Sequence, residues 1–473
     1  MVYDPNWYSL LPPILAIILA IKTKQVLPSL FAGIWIGFTL LSNFNPITGI
    51  AKSLDGIINV FSDPDDAKVL IFTLLIGALI TTIEKSGGVK AFVHYLESRR
   101  WVHTGLRAQL LAWMTGIIIF IESNITLLVA GSVSRPLFDR YLISREKLAY
   151  LIDATSAPVC SMIPLNAWGA VIIGIVASSD IENPLETFIT SIPYNLYAMT
   201  AIILSGVVVW KNINIGPMKA AERRTQDGQI HWEGSSPIVD KNVEELLEKA
   251  PSESGSSPAY MILPIITMTL SMPAGLYITG DGDLIKGSGS TAILWSISAA
   301  LFVCWLMLLV NKKASVNRIM QLFMEGAGNL LPIAAILLLA LTLGDVAKLL
   351  GTGPYIAGIA QASVPVVLLA PLIFFCSAFI AFSVGSSWGT FAIMIPIAIP
   401  IAVTLNLPIP LFLGAAISGG IFGDHASPIS DTTVVASMAS STDHIEHVRT
   451  QLPYALIAGV IATIGFLVLS FFM

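Results

Sequence analysis

The sequence predicts an all-α polytopic membrane protein made of two inverted repeats, each with five transmembrane helices and one re-entrant hairpin, and with broken helices at the midplane. Three observations predict this fold. Of the 473 residues, 55% are hydrophobic and only 12% are charged. Apolar runs of about 20 residues, the length that crosses a bilayer, recur along the chain. The basic residues gather in some of the loops between these runs and avoid the others.

The distribution of Lys and Arg predicts the orientation of the chain, because cytoplasmic loops collect basic residues. Twenty-one of the 25 basic residues fall on one side of the predicted membrane. The other side holds Lys52, Lys68, Lys286 and Lys348, together with acidic loops such as FSDPDD and TGDGD. We therefore assign the basic side to the cytoplasm, which puts both termini on the outer side. The first apolar run has its basic residues after it, which indicates an uncleaved first span.

Two apolar segments begin and end on the same side, so they are predicted to enter the membrane and return. They are residues 106–133, interrupted at IESNIT (121–126), and residues 365–404, interrupted at FSVGSSWGT. The first repeat then has spans near 9–21, 26–41 and 67–84, the first hairpin, a broken helix over 148–178 and a span over 188–210. The second has spans near 259–279, 290–310 and 331–350, the second hairpin, a broken helix over 410–440 and a final span.

This order divides the chain into a first repeat at 1–210, a cytoplasmic linker at 211–257 and a second repeat at 258–473. Five crossings plus a hairpin make an odd number of crossings, so the second repeat is predicted to insert upside down. A weak sequence echo at an offset of 264 residues supports the duplication, with Gly87 over Gly351 and IPLN over SPIS. The linker is polar, and VEELLEKA (243–250) predicts a short helix in it.

Polar residues interrupt the predicted helices at four places, which match pairwise between the repeats. The breaks are IESNIT, YLIDATSAPVCSMIPLN (150–166), SVGSSWGT and FGDHASPISDTT (422–433). Irregular backbone in the hydrocarbon is tolerated only where it is buried in protein or lines a wet cavity. Paired breaks at corresponding positions therefore indicate a transport site near the midplane.

The breaks hold most of the ionisable residues at membrane depth, where each charge costs on the order of 3 kcal/mol. They are Glu122, Asp153, Asp424, His425 and Asp431. We predict that these residues bind an ion or substrate, with Asp153, Asp424 and Asp431 as sodium ligands, because oxygen atoms are the ligands of a hard alkali cation. Such carboxylates can also exchange the cation for a proton. The surrounding polar candidates are Ser123, Asn124, Thr126, Thr155, Ser156, Asn166, Ser386, Ser387, Thr390, Ser427, Ser430, Thr432 and Thr433.

These residues also have structural interpretations. Asp431 and Glu122 are equally compatible with a helix N-cap at a break. Asp153 lies near the start of its span and is compatible with an interfacial acid, and His425 is compatible with a hydrogen-bond donor. The run DHIEH at 443–447 lacks the HExxH spacing of a metal site, so we predict a solvated cytoplasmic loop there.

Composition and spacing argue against several other classes of protein. A net charge of -5 does not indicate a nucleic-acid partner. Cys160, Cys304 and Cys376 have no CxxC or His spacing, so they predict neither a metal site nor a disulfide framework. His425 with Ser427 is the single candidate pair for an intramembrane enzyme, which needs a nucleophile and a base. We predict that the protein is not an enzyme and has no cofactor beyond sodium ions and protons.

The segments SRPLFDRYLISREKLAYLIDATSAPV, GSSWGTF and FGDHASPISDTT resemble the NhaC-type sodium/proton antiporter family of the ion-transporter superfamily. The resemblance runs over nearly the whole chain. It implies a secondary transporter of the bacterial cytoplasmic (inner) membrane that works by alternating access. It also implies roles at or near the site for six residues: Asp153, Asp424, Ser427, Ser430, Asp431 and Thr432. Many members carry two aspartates at the first hairpin tip, where this chain has Glu122 and Ser123.

The leading functional hypothesis is exchange of sodium for protons. The alternative is a sodium- or proton-coupled transporter of a small organic solute, such as an amino acid or a carboxylate, because some members of the family carry such solutes. In that case the hairpin tips would bind a carboxylate group, and Trp388 and Asn166 would contact the solute. The predicted partners are membrane lipid, sodium, protons and this solute, and a homodimer is compatible with the fold.

Overall fold

The structure is a computed structural model that describes residues 4–23, 25–88, 91–92, 102–120, 122–179, 181–237, 257–283 and 287–472. Within these ranges the chain forms α-helices and short 3-10 helices and no β-strand. One isolated β-bridge joins Pro237 and Asp443. The prediction of an all-α protein is confirmed. The short helix predicted at 243–250 lies outside the described residues.

The described helices are numbered in chain order. Those before residue 238 are α1 (Leu11–Thr23), α2 (Val26–Leu41), α3 (Pro46–Asn59), α4 (Pro64–Lys85), α5 (Gly105–Ile118), α6 (Ser123–Arg140), α7 (Arg145–Cys160), α8 (Ala167–Ala177), α9 (Pro184–Ser191), α10 (Leu196–Lys211) and α11 (Pro217–Gln226). Those after residue 256 are α12 (Ala259–Thr279), α13 (Gly289–Val310), α14 (Val316–Asn329), α15 (Leu331–Leu349), α16 (Thr352–Ser363), α17 (Leu369–Val384), α18 (Ser387–Thr404), α19 (Ile409–Ala426), α20 (Asp431–Ser440) and α21 (His444–Phe471).

Seven of the described helices are long and apolar enough to cross a membrane, or up to nine if each of two bent pairs counts as one span. The chain is therefore a multi-pass membrane protein. Val366–Val384 and Ser387–Thr404, the two arms of the second predicted hairpin, each have the length and hydropathy of a full span. The re-entrant insertion of the two hairpins stays a prediction.

Four consecutive helices of the first half recur 264 residues later. Helices α5 to α8 begin at residues 105, 123, 145 and 167, and helices α17 to α20 begin at residues 369, 387, 409 and 431. Gly87 and Gly351, which the sequence echo pairs, both have a positive φ, of 74° and 63°. The order of these helices thus repeats along the chain, while the upside-down insertion of the second copy stays a prediction.

The broken helices are interrupted over fewer residues than the sequence suggests. Residues 161–166 separate α7 from α8, and residues 427–430 separate α19 from α20. The prediction that Asp153 and Asp424 lie in unwound backbone is wrong, because both lie within helices. A polar side chain leaves the hydrogen bonds of a helix intact, whereas Pro428 has no N–H to continue one.

Two amphipathic helices, α3 and α14, occupy positions where the sequence analysis places loops. Their outward residues are apolar: Ile47 and Ile58 of α3 are 79% and 65% exposed, and Met324 of α14 is 67% exposed. Helix α3 follows α2 after a bend of 118°. Such helices are typical of the membrane interface, and their mixed composition hides them from a search for continuous apolar runs.

The first part of the linker is docked onto helices of both halves. Arg224 of α11 forms a bidentate ion pair with Glu146 of α7, with N–O distances of 2.7 and 3.0 Å. The backbone N–H of Ile215 donates to the hydroxyl of Tyr454 in α21 at 2.9 Å, and that hydroxyl donates to the carbonyl of Ile213 at 3.2 Å. The first part of the linker therefore connects α7 of the first half to α21 of the second half.

The hairpin helices pack against the broken helices and so position the site. Helices α5 and α6 pack against α7, and helices α17 and α18 pack against α19. Helix α6 also packs against α20 of the other half. Each hairpin tip consequently lies beside the break of its own half.

Candidate functional site

Asp153 of α7 is fully buried and contacts three other helices. Its Oδ2 accepts hydrogen bonds from Gln451 Nε2 at 2.7 Å and from Thr433 Oγ1 at 3.3 Å. His447 Nε2 lies 3.5 Å from the same oxygen, and His425 Nε2 lies 3.9 Å from Oδ1. This burial excludes an interfacial acid. All four partners belong to the second half, so Asp153 marks a contact between the halves.

Asp424, in the last turn of α19, is also fully buried. Its Oδ2 accepts a hydrogen bond from Thr432 Oγ1 at 3.1 Å, and Thr432 Oγ1 lies 3.0 Å from Ser430 Oγ. Oδ1 of Asp424 accepts no hydrogen bond from the described residues. This carboxylate therefore presents one free oxygen next to a pair of hydroxyl groups.

Asp431 is the first residue of α20 and is exposed. Its Oδ1 accepts from the backbone N–H of Thr432 at 2.9 Å. The N-cap of α20 is Ser430, whose side chain accepts from the N–H of Thr433. The N-cap interpretation of Asp431 is therefore wrong, although an acid in the first turn still interacts favourably with the helix dipole.

The second hairpin turns at Gly385, directly against the break between α19 and α20. Gly385 has a φ of 73°, and a Cβ there would lie 2.4 Å from the carbonyl oxygen of Ile429, so only glycine fits. Ser427 Oγ donates to the carbonyl of Phe382 at 2.8 Å, and Ser387 Oγ donates to a carbonyl of α19 at 3.2 Å. The two hydroxyl groups hold this tip on the broken helix.

The start of α18 carries the remaining candidates of the second hairpin. The Ser386 side chain accepts from the N–H of Gly389 at 3.5 Å and caps the helix, and Thr390 Oγ1 donates to the Ser386 carbonyl at 3.0 Å. Trp388 packs against Trp168 of α8, with ring centroids 4.6 Å apart. The two tryptophans come from different halves, and each is the second residue of its helix.

The candidates of the first hairpin gather around Glu122, which is 8% exposed. Glu122 Oε1 accepts from Ser123 Oγ at 3.1 Å and from Asn124 Nδ2 at 3.2 Å. Thr126 Oγ1 donates to the carbonyls of Ile119 and Glu122. These contacts bring the four predicted residues of this hairpin together.

Asn166 ties the first hairpin to the break between α7 and α8. Its Oδ1 accepts from the N–H of Gly169 at 2.9 Å and so caps α8. Its Nδ2 donates to the carbonyls of Phe120 and Cys160, at 3.0 and 2.9 Å. Asn166 thus plays the same part in the first half as Ser427 in the second.

Two candidates bond to their own helix. Ser156 Oγ donates to the carbonyl of Asp153 at 3.3 Å, and Thr155 Oγ1 donates to the carbonyl of Leu151 at 2.8 Å. Hydroxyl groups in apolar helices commonly satisfy themselves in this way. Both hydroxyl groups are therefore already paired beside the cluster.

Three residues of the buried cluster escaped the sequence analysis. Tyr197 OH lies 3.2 Å from His425 Nδ1, and Gln451 and His447 contact Asp153 as described. The prediction of a solvated loop at 443–447 is wrong, because α21 begins at His444 and His447 is 0% exposed. The sequence signal that could have found two of these residues is that Gln451 follows His447 by four positions, a spacing that places both on one face of a helix.

In the described part of the chain, no group of three or more His, Cys, Asp or Glu side chains could hold a metal ion. The surroundings of Asp424 are instead oxygen-rich, with the hydroxyl groups of Ser430 and Thr432. Oxygen ligands of this kind suit an alkali cation that is carried as substrate. The neighbours of Asp153 are mainly nitrogen donors, so the two buried carboxylates differ in chemistry.

Buried carboxylates beside broken helices, within a bundle of membrane-length helices, are typical of secondary transporters. A model of the Na+/H+ antiporter family matches residues 168–471, and the chain belongs to this family. The resemblance stated from the sequence motifs is thereby confirmed.

An uncharacterized protein of Haemophilus influenzae is 32% identical over 494 residues, which cover 99% of this chain and 92% of that protein. The malate-2H(+)/Na(+)-lactate antiporter of Bacillus subtilis is 34% identical over 187 residues, or 37% of this chain and 38% of that protein. The crystal structure of the YdaH transporter of Alcanivorax borkumensis matches with a TM-score of 0.61 and 14% identity, covering 89% of this chain and 88% of that one. The last match shows a shared fold.

Proposed function

We propose that the protein exchanges sodium for protons across the bacterial inner membrane by alternating access. The observation that carries this proposal is the pair of fully buried carboxylates Asp153 and Asp424, each with one oxygen that accepts no hydrogen bond from the described residues. A buried carboxylate is costly without a neutralising partner, which here is either a proton or an alkali cation. Because the two compete for the same oxygen, binding of one releases the other.

In this proposal Asp424 binds sodium together with the hydroxyl groups of Ser430 and Thr432. Asp431, exposed at the start of α20, attracts the cation towards the break through its charge. The hairpin tips, around Glu122 and Ser387, form the walls of the pathway.

In this proposal the two halves move relative to each other to open the site to one side of the membrane at a time. Inverted repeats supply two related conformations for such a motion, with the site near the midplane. The contacts of Asp153 with Thr433 and Gln451 cross between the halves and would change during it. A change in the charge of Asp153 would therefore be coupled to the position of the halves.

A second candidate function is coupled transport of a small organic carboxylate or amino acid. The relative named a malate-2H(+)/Na(+)-lactate antiporter supports it, as does the aromatic pair of Trp168 and Trp388 between the starts of α8 and α18. Helix N-termini favour anionic groups, and Asn166 and Ser386 cap these two helices. A solute carboxylate would bind between them.

The test uses purified protein in liposomes that contain a pH-sensitive dye and an imposed proton gradient. Sodium, lithium or potassium chloride is added outside in turn, and the dye reports dissipation of the gradient. We expect sodium to dissipate it in the wild type and not in Asp424→Asn. Asp55→Asn, which makes the same change at an exposed position of α3, serves as the control and retains activity.

No response to any cation, in vesicles that contain folded protein, would refute cation/proton exchange. The organic-solute candidate would then be tested by sodium-driven uptake of labelled carboxylates and amino acids. Uptake that requires Trp388 and Asn166 would support that candidate. Normal sodium-dependent activity in Asp424→Asn would remove Asp424 from the site.

A further inference from the structure

The two oxygens of the Asp153 carboxylate have very different surroundings. Oδ2 accepts hydrogen bonds from Gln451 and Thr433, and His447 Nε2 lies 3.5 Å away without a hydrogen bond to a described residue. Oδ1 accepts no hydrogen bond from the described residues and faces His425 Nε2 across 3.9 Å. That separation is too long for a hydrogen bond.

The residues on the Oδ2 side come chiefly from α21. His447 and Gln451 are four residues apart, are 0% and 2% exposed, and lie on one face of the helix. Gln451 Nε2 also donates to the backbone carbonyl of His425 at 3.0 Å, in the last turn of α19. One amide group thus fixes Asp153 to the end of the broken helix that carries Asp424.

We infer that Gln451 and His447 are positioning residues: Gln451 holds Oδ2 of Asp153 by a hydrogen bond, His447 packs beside that oxygen, and Oδ1 is left as the one oxygen of this carboxylate that can meet the transported cation. This inference rests on the proposed function, in which the buried carboxylates of Asp153 and Asp424 are each neutralised by a proton or by the cation. Without these contacts the carboxylate is free to rotate about its terminal torsion, which is broad. The cation then meets a misoriented carboxylate, so its affinity falls while the translocation step is less affected.

The experiment measures sodium counterflow, which is uptake of labelled sodium into liposomes preloaded with unlabelled sodium. Initial rates over a range of sodium concentrations at one pH give an apparent KM and a maximal rate. Loss of a hydrogen bond to a charged group predicts that Gln451→Met raises the apparent KM at least about tenfold, with less than about a threefold change in maximal rate. A purely structural role would lower the amount of active protein, and hence the maximal rate, without changing KM.

Gln109→Met is the matched control. Gln109 is another buried glutamine in an apolar helix, 5% exposed, whose Nε2 donates to the carbonyl of Gly105 within α5. We expect this variant to keep the wild-type KM. A similar increase of KM in both variants would contradict the inference.

His447 provides a second, independent pair of variants. His447→Leu removes the polar group beside Oδ2 and is expected to raise the apparent KM, whereas His447→Gln keeps a polar side chain there and is expected to return KM to within about threefold of the wild type. This pair decides the question if Gln451→Met does not purify as a single species. Equal KM values in His447→Leu and the wild type would overturn the role of His447.

The outcomes separate this inference from the proposed function. A wild-type protein without sodium counterflow overturns the proposed function, and this inference fails with it. A wild type that exchanges sodium, with an unchanged KM in Gln451→Met and His447→Leu, overturns the inference alone.

Discussion

Asp153 Oδ2 and Gln451 Nε2 lie 2.7 Å apart although 298 residues separate them in the chain. The bond joins a helix of the first half to the last helix of the second half, and both side chains are buried. If the halves move relative to each other, as the proposed function requires, this contact must stretch or be exchanged. In this structure the bond therefore fixes the environment of the Asp153 carboxylate at the contact between the halves.

Thr432→Val should weaken sodium binding by about tenfold, because it removes the hydroxyl that donates to Asp424 Oδ2 at 3.1 Å. The apparent KM of sodium counterflow measures the effect. Thr463→Val is the control, since the Thr463 hydroxyl bonds within α21 to the carbonyl of Gly459. An unchanged KM in Thr432→Val would show that this hydroxyl does not orient the carboxylate.

Asn166→Ala should lower both stability and transport. It removes the cap of α8, which costs about 1 kcal/mol, and it also leaves the carbonyls of Phe120 and Cys160 without their donor. Asn45→Ala removes a comparable cap from α3 and should lower the thermal unfolding temperature without changing the transport rate. Equal transport rates in the two variants would mean that the tie between hairpin and break is not needed.

Arg224→Gln should destabilise the protein by about 3–5 kcal/mol, because it leaves the Glu146 carboxylate buried without its ion pair. Arg449→Gln breaks a pair with Glu446 at the surface, where Arg449 is 64% exposed, and should cost at most about 1 kcal/mol. Thermal unfolding of both variants in the same detergent measures the difference. Similar unfolding temperatures would indicate that the linker is not docked through this pair.

The docking of the linker should weaken in acid through His231. Burial and the nearby Arg145 guanidinium, whose Nη1 lies 3.4 Å from His231 Nε2, lower the pKa of His231. Glu146 and Asp139 oppose this shift, and Arg224 adds to it. The undocked chain therefore takes up a proton more readily, so the stabilisation present above the ordinary pKa of about 6.5 is lost as pH falls through the lowered pKa.

Hydrogen exchange over residues 229–237 measures this effect as a protection factor at several pH values. We expect protection to fall with decreasing pH in the wild type and to be independent of pH over the same range in His231→Gln. The same fall in both proteins would assign the pH dependence to another group.

Several features of the site could be predicted from the sequence because they are local. The polar run from Asp424 to Thr433 is distinct from the apolar segments on either side of it. Gly87 and Gly351 are separated by the same 264 residues at which the helices repeat. Other features could not be predicted. The limits of the breaks depend on where backbone hydrogen bonds can continue, so Asp153 lies in a helix although its segment is rich in polar and small residues.

The sequence by itself determined the class of fold, the repeat of the helices and the membership of a family. Hydropathy is read over about 20 residues, and the charges and motifs are read directly along the chain, so none of these features depends on contacts between distant residues. Only the tertiary structure decided which side chains meet. His447 falls in a run that the sequence predicts as a solvated loop, and Gln451 follows it four residues later. Both become part of the site because the packing of α21 against α7 and α19 buries them. A buried carboxylate is costly without polar partners. For Asp153 these partners, Gln451 and Thr433, come from the other half of the chain, and only the packing of the helices brings them together.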